Sequence, residues 1–399
     1  MIYVFYIFAA VLVWLSYWSF RGGIDYLNYF KRELAMPPSD WVPMVTVIAP
    51  CKGIDEGMLA NFDALLGQDM PEFEVIFVID GPDDPAAGVV EAAWQESERD
   101  VKLVVAPKAT NSSQKVENIL EGVLHADPRS EVFVVVDSDA RPSPGWLRAL
   151  IAPLDDKTVG AATGYRWFVP EVPTIASELR SAWNASIASA LGSNEKGNFC
   201  WGGSMAFRRD TFTQIGLREK LQGTLSDDLA VTRAIKGAGL RIRFVPQALA
   251  ATVDGCTLPG MLEFTNRQMK VTRVYAQNLW LLSLFGSALF CTICGLAIAF
   301  LILDPTGGFL WPVAAATLLL VAGFSVGKAW LRHSAVCLAL PQHQKALRRQ
   351  RKWQLTLWAV TPVIFLINCI NALFSNRLVW RGIEYKMLTP EKTLLIRRD

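Results

Sequence analysis

At 399 residues, with 52% hydrophobic and only 19% charged residues, the chain is too apolar to be disordered. It also carries fewer charges than the roughly 25% of an ordinary soluble domain, so apolar sequence is concentrated somewhere. The 39 basic and 37 acidic residues leave a net charge of +2, which gives no electrostatic case for nucleic-acid binding.

Residues 1–20 carry no charge, and about 20 apolar residues span a bilayer core as a helix. The segment has no basic start and no small-residue cleavage site, so it does not read as a removable signal peptide. Arg21, Lys31 and Arg32 follow it. Positive flanks stay cytoplasmic, which places residue 1 outside and the chain from 21 onward inside. Residues 21–43 read as a linker. From 44 to 255 the pattern is that of an α/β domain. Apolar, β-branched runs at 45–50, 74–80, 101–107, 131–137 and 241–246 alternate with amphipathic stretches at 57–66, 114–126, 144–154 and 227–238. Continuous apolar strands with helices between them predict a mostly parallel sheet covered on both faces. The stripe Ile175, Leu179, Trp183 and Ile187 within 173–192 predicts a core helix.

Beyond 255 the chain reads as an interfacial amphipathic segment (256–277) and two transmembrane helices (278–303 and 309–327) joined by an outer turn at 304–308. A loop at 328–352 follows, with seven Lys or Arg and no acid, expected in the cytoplasm. The run 353–376 contains Pro362, Asn368 and Asn371; it either spans, re-enters or lies in the interface. The tail 377–399, with six basic and three acidic residues, argues for the inside, whereas four full spans would put it outside. The seven cysteines are scattered. Cys291 and Cys294 form a C-x-x-C in an apolar run with no second pair. They read as buried thiols in a reducing compartment, with no disulfide framework and no zinc site.

Chemistry is expected at the carboxyl ends of the strands, where ligands bind in open α/β sheets. The first strand runs into Lys52-Gly53-Ile54-Asp55 and the second into Asp83-Asp84-Pro85; either alone is a turn signal. The fourth delivers Asp137 and Asp139, two carboxylates one residue apart that suit a hard divalent cation sharing a diphosphate. Gly202, Gly203 and Ser204 beside Trp201 form either a plain turn or a place where backbone approaches a ligand. Asp227 and Asp228 open a helix; one carboxylate can cap it while the other serves as a base or ligand. Arg267, Lys270 and Arg273 lie in a basic, aromatic stretch before the run at 278. It reads as a membrane-surface helix whose cations can also hold a diphosphate.

The order Lys-Gly-x-Asp, Asp-Asp-Pro, Asp-Ser-Asp, Gly-x-Ser-x-x-x-Arg, Asp-Asp and a basic helix before the membrane resembles inverting glycosyltransferases of family 2. The likeness is to the ceramide glucosyltransferase branch and its bacterial, hopanoid-associated relatives. It covers residues 1 to about 385. It implies a GT-A nucleotide-diphospho-sugar transferase domain, with one N-terminal and two to three C-terminal transmembrane helices. On this resemblance the Lys52 to Asp55 loop and Asp84 line the uridine pocket, and Lys115 lies near the nucleotide. Asp137 and Asp139 hold Mg²⁺ or Mn²⁺, and Asp228 is the catalytic base. Gly202, Ser204 and Arg208 match the donor and acceptor loop and the helix start behind it. The family's (Gln/Arg)-x-x-Arg-Trp motif appears as Arg267-Gln268-Met269-Lys270-Val271. Lysine there is a point charge without the guanidinium fork, and the stacking Trp is missing. The tail Trp380-Arg381-Gly382-x-x-Tyr385 resembles the C-terminal signature of lipid-glycosylating members.

The resemblance therefore implies a hexosyltransferase that moves glucose from a UDP-sugar to the hydroxyl of a membrane lipid, giving a β-glycoside. Its expected partners are the UDP-sugar, the lipid acceptor and the bilayer, with no nucleic acid. Its expected place is the cytoplasmic face of a bacterial inner membrane. The alternatives are a processive polysaccharide synthase, which would want more spans and the intact Arg-Trp motif, and a non-catalytic nucleotide-sugar-binding protein. The carboxylates at 84, 137, 139 and 228 argue against the latter.

Overall fold

A computed structural model describes residues 2–303 and 310–398; the outer turn expected at 304–308 lies outside them. Helix α1 (Ile2–Leu34) does not stop at residue 20. Tyr26, Tyr29 and Phe30, at helical spacing, bury one stripe of its inner half in the core of the following domain. The Tyr29 hydroxyl donates to Phe244 O at 2.6 Å, and Glu33 pairs with Arg243 at 3.0 Å. The expected linker is thus helical as far as Leu34, and the first apolar helix is fused to the domain.

The domain alternates β1 (Val45–Pro50), α2 (Met58–Leu66), β2 (Phe73–Ile79), α3 (Ala86–Gln95), β3 (Asp100–Val105), α4 (Gln114–Leu124), β4 (Val132–Val135) and α5 (Trp146–Ile151). It continues with β5 (Val159–Phe168), α6 (Ile175–Ala188), β6 (Met205–Arg208), α7 (Arg209–Gln214), α8 (Leu217–Leu221), α9 (Asp227–Gly237) and β7 (Arg241–Thr252). The sheet order is β3-β2-β1-β4-β6-β5-β7. Only β6 runs antiparallel to its neighbours; the other pairings are parallel. Every residue of β2 and β4 is buried, as expected of a sheet covered on both faces. This is the GT-A arrangement that the motif order implied. Two cores flank the sheet. One joins α2, α5 and the inner ends of the apolar helices; the other joins α4, α9 and the tail.

Helix α6 is buried almost all round, with Trp183 fully enclosed. Thr174 and Ser177 close a reciprocal capping box at its start. Glu178 is buried there, with Oε2 unpartnered among the described residues. Burial pushes its carboxyl up to about 7, against the pull of the Gln350 amide and Lys352. A carboxyl whose folded pKa is raised contributes stability that is fully present at low pH and lost as pH rises through the folded value. Glu178→Gln should therefore raise stability by roughly 1–3 kcal/mol at about pH 8 and by almost nothing near pH 4. Thermal unfolding at the two pH values checks this.

The rest of the chain comprises α10 (Leu258–Tyr275), α11 (Gln277–Leu303), α12 (Leu310–Ala339), α13 (Gln344–Thr356) and α14 (Thr361–Phe374). Among the described residues α1, α11 and α12 are long and apolar enough to cross a membrane. Helix α12 continues to Ala339, into the expected basic loop, whose remainder belongs largely to α13. Lys328 Nζ donates to Ser19 Oγ at 2.8 Å, and Leu331, Ala335, Val336 and Ala339 enter the first core. The last apolar run is bent by 60° between α13 and α14. The chain just before it packs against the domain through Leu340 and Leu347, and the tail just after it packs there too. The tail folds as an antiparallel sheet, β8 (Arg377–Trp380), β9 (Ile383–Thr389) and β10 (Lys392–Arg398), with β9 in the middle. Leu378, Ile383, Tyr385 and Met387 join the second core. The Tyr385 hydroxyl accepts from Gln114 N at 3.1 Å, and Thr393 N donates to Gly223 O at 2.8 Å. The tail and the α/β domain are therefore on one side.

Candidate active site

A cleft of about 1100 Å³ opens at the carboxyl ends of β1 and β4. Its walls also come from α6, α10, the first residues of α11 and the β8–β9 turn. Asp137 and Asp139 leave the buried tip of β4 side by side. Lys115, one residue into α4, is placed by the Ser113 cap, whose side chain accepts from Val116 N at 3.2 Å. Lys115 Nζ lies 2.6 Å from Asp137 Oδ1 and 3.1 Å from Asp227 Oδ2. Arg166, on β5, spans the strand-tip pair, with nitrogens 3.3 Å from Asp137 Oδ2 and 3.3 Å from Asp139 Oδ2. Its guanidinium stacks over Trp201 at 4.8 Å.

Burial opposes charge at each of these groups, and the partners decide the outcome. It disfavours the Asp137 carboxylate, but Lys115 and Arg166 prevail and hold it below the usual range. Asp139 is pushed up to about 6 by burial, which Arg166 offsets only in part, with Asp137 adding repulsion. Its Oδ1 is buried and unpartnered among the described residues. Burial works against the Lys115 ammonium, yet Asp137, Asp227 and Asp228 together raise its pKa. Asp227 is pushed up to about 6 by burial, against Lys115.

The orphaned oxygen of Asp139 and the carboxylate of Asp137 fit a hard divalent cation that takes further oxygens from a bound ligand. Among the described residues no three His, Cys, Asp or Glu side chains form a cage that would hold an ion alone. Asp55 completes this wall, accepting from Ser138 Oγ at 2.6 Å and pairing with Arg381. Arg267 lies nearby, 5.8 Å over Phe264 and 5.5 Å over Trp380. Burial, with Arg166 repelling it, lowers its pKa to about 10. Asp228 lines the same cleft from the first turn of α9. Its Oδ1 accepts from the Leu229 amide at 2.7 Å and from Ser226 Oγ. The site thus gathers Lys115, Arg166, Arg267 and Arg381 about the Asp137–Asp139 pair, an arrangement suited to a polyanion, with the half-buried carboxylate of Asp228 lining the same cleft.

The sequence model of glycosyl transferase family 21 matches residues 2–393. The chain belongs to that family. This glycosyltransferase is 25% identical over 134 residues to a ceramide glucosyltransferase of Komagataella phaffii, covering 32% of this chain and 26% of the relative. It is 28% identical over 225 residues to an N-acetylglucosaminyltransferase of Rhizobium leguminosarum bv. viciae, covering 53% of this chain and 51% of the relative. The matches therefore span about half or less of the length of these curated relatives. Among solved structures, a mannosyltransferase of Pyrobaculum calidifontis in complex with GDP-Man and Mn²⁺ aligns over 90% of this chain and 99% of its own, at a TM-score of 0.44 and 19% identity.

Of the residues singled out in the sequence, the glycosyltransferase brings Lys52, Asp55, Lys115, Asp137, Asp139, Gly202, Asp228 and Arg267 to the cleft. Gly202 has a steric reason: a Cβ there would overlap Asp227 Oδ2 and come within 2.6 Å of Lys115 Nζ. Others do not line the cleft, among them Arg273, whose guanidinium donates to Ala372 O at 2.6 Å. Asp84 accepts the amides of Gly53 and Ala86, both at 2.9 Å, so it ties the Lys52–Asp55 loop to the start of α3. Ser204 is fully buried, accepting from Trp146 Nε1 at 2.8 Å and donating to Ala248 O at 3.2 Å. Arg208 packs at the far end of the sheet, against the carbonyls of Lys157 and Val159. Lys270 donates to Arg377 O at 2.9 Å, toward the tail. Asp227, expected as the helix cap, makes no cap bond and instead joins Lys115. Arg166, Trp201 and Arg381 were not assigned a role from the sequence. For Arg166 the available signal was a guanidinium inside the aromatic, apolar run Tyr165–Phe168, a place where charge is costly unless paired.

Proposed function

We propose that the protein transfers a hexose, glucose on its likeness to ceramide glucosyltransferase, from a UDP-sugar to the hydroxyl of a membrane lipid. The observation that carries this reading is one cleft shared by the Asp137–Asp139 pair, four cations and Asp228, walled partly by α10 and the start of α11. Lys115, Arg166, Arg267 and Arg381 suit the donor diphosphate, and the Lys52–Asp55 loop suits its uridine end. Asp137 and Asp139 would hold Mg²⁺ or Mn²⁺, which supplies charge neutralisation at the diphosphate when bound. Asp228 takes the proton of the acceptor hydroxyl as its oxygen bonds to the anomeric carbon. The bond from that carbon to the diphosphate oxygen breaks in the same displacement, and the configuration inverts. The four cations stabilise the charge left on UDP, as electrostatic catalysis requires. The walls from α10 and α11 give a lipid hydroxyl a short path from the bilayer.

Purified protein with UDP-glucose should release UDP in step with glycolipid formation when a sphingoid or hopanoid lipid is added, and chelator should abolish both. Release coupled to a growing polymer would replace this reading with the processive one. No release with any lipid would favour a binding protein. The cytoplasmic placement has its own check. Lys392→Cys, on the tail sheet, should resist a membrane-impermeant thiol reagent in intact cells and react after lysis; labelling in intact cells would invert the map.

A further inference from the structure

Helix α13 has two unlike faces. Leu347, Gln350 and Gln354 are buried. Gln350 accepts from Trp167 Nε1 at 2.8 Å and donates to Phe168 O at 3.0 Å, and Gln354 donates to Ser181 Oγ at 3.1 Å. These bonds lock α13 to α6 and the end of β5, two walls of the cleft. Lys345, Arg348, Arg349, Arg351 and Lys352 are instead all exposed. Among the described residues none of the five has a carboxylate within ion-pair distance. Two exposed arginines of the α/β domain do: Arg233 pairs with Glu391, and Arg241 with Asp156 and Glu195. Five cations in eight residues without a close ion pair are conspicuous in a chain whose net charge is only +2.

The surroundings of α13 say what meets this face. Six residues after Lys352, Trp358 packs edge-on against Phe290 at 6.2 Å, among the apolar side chains of α1, α11 and α12. Helix α14 then exposes Val363, Ile367, Ile370, Leu373 and Phe374, an apolar strip next to α11. At 1.5 Å per residue the five cations lie about 9–20 Å back along the chain from Trp358. With Trp358 in hydrocarbon, that distance brings the basic face within reach of the headgroups, since the half-thickness of the hydrocarbon core is about 15 Å.

We propose that the exposed face of α13 is a binding site for anionic lipid headgroups. The proposal rests on the apolar helices lying in a bilayer and not on glycosyl transfer, so its test can fail while the transferase reading stands. Lipid phosphates supply the missing counter-charge, as they do for basic segments beside membrane helices. Because α13 is hooked to α6 through buried amides, lipid held there also fixes the height of the cleft over the membrane.

Full-length protein would be placed in nanodiscs of phosphatidylcholine mixed with phosphatidylglycerol, and the lipid retained on mild detergent extraction counted by mass spectrometry. Wild type should retain phosphatidylglycerol several-fold above its bulk share, and added salt should lower the excess. The variant K345Q/R348Q/R349Q/R351Q/K352Q should fall to the bulk share. A control K157Q/K220Q/K236Q, on exposed positions of the α/β domain, should keep the wild-type excess. If the five-residue variant does not fold, K345Q/R349Q should still show a partial loss. An excess that survives both α13 variants, or no excess in wild type, overturns the proposal. So does displacement by inorganic phosphate at matched ionic strength, which would make this a free-phosphate site.

Discussion

Asp228→Asn should keep UDP-sugar binding and lose transfer by about 10²–10⁴-fold, the usual contribution of a positioned general base. The substitution preserves shape and leaves an oxygen for the Leu229 amide but cannot accept the hydroxyl proton. Its neighbour should fail differently. Asp227 is 3% exposed and lies 3.1 Å from Lys115 Nζ, so Asp227→Asn removes one of the carboxylates that keep a buried ammonium charged. The loss should appear first in donor affinity, because the proposed reaction sets Lys115 against the donor diphosphate, with a smaller drop in turnover at saturating donor. Calorimetry of donor binding and turnover on the two variants separate the cases. Normal turnover by Asp228→Asn, or a dead Asp227→Asn that binds donor fully, would move the base to Asp227.

The contrast between these two residues shows how far the sequence could be read. Two adjacent acids at a helix start follow the capping rule, and pattern alone assigns one to the helix. What overrides the rule is Lys115, which is 112 positions away in sequence and reaches Asp227 only because α4 and α9 pack on the same face of the sheet. The strands with long β-branched runs were legible because burial on both faces leaves an unbroken apolar signature. Strand β6 is four residues long, and β5 is broken by Gly160 and Gly164, so neither gave such a signal. Arg166 went unassigned with its strand. Position in a motif did not decide which residues reach the cleft. Strand β6 runs antiparallel to β4, which carries Arg208 to the end of the sheet away from Asp137 and Asp139; Ser204, just before β6 at the near end, is turned inward onto Trp146 and Ala248. The tail was ambiguous for a different reason. Counting apolar runs treats 353–376 as one more crossing, whereas the 60° bend after α13 and the docking of Tyr385 on Gln114 depend on contacts across the whole chain.

That docking brings Arg381 into play, and with it the second large effect. Arg381 and Gly382 form the two-residue turn between β8 and β9, both at positive φ, 52° and 74°. Two-residue hairpins with this geometry favour Asn-Gly. Among the described residues Arg381 is the one non-glycine at positive φ, a conformation that costs on the order of 1–3 kcal/mol. The guanidinium pairs with Asp55, and Asp55, Asp139 and Asp137 keep it charged despite burial. A turn chosen for stability alone would have Asn here; arginine carries charge to the wall of the cleft. Arg381→Asn should therefore leave the thermal midpoint unchanged or slightly higher. Relief of backbone strain offsets the loss of a partly exposed ion pair worth about 0–1 kcal/mol. Donor affinity should nonetheless fall by about 10- to 100-fold, the scale of one charge-assisted hydrogen bond to phosphate. Arg381→Lys should recover part of that affinity while keeping the strain. A lower midpoint with unchanged donor affinity would make Arg381 a clasp for the tail. The expected pattern, stability kept and affinity lost, makes the tail sheet part of the donor site.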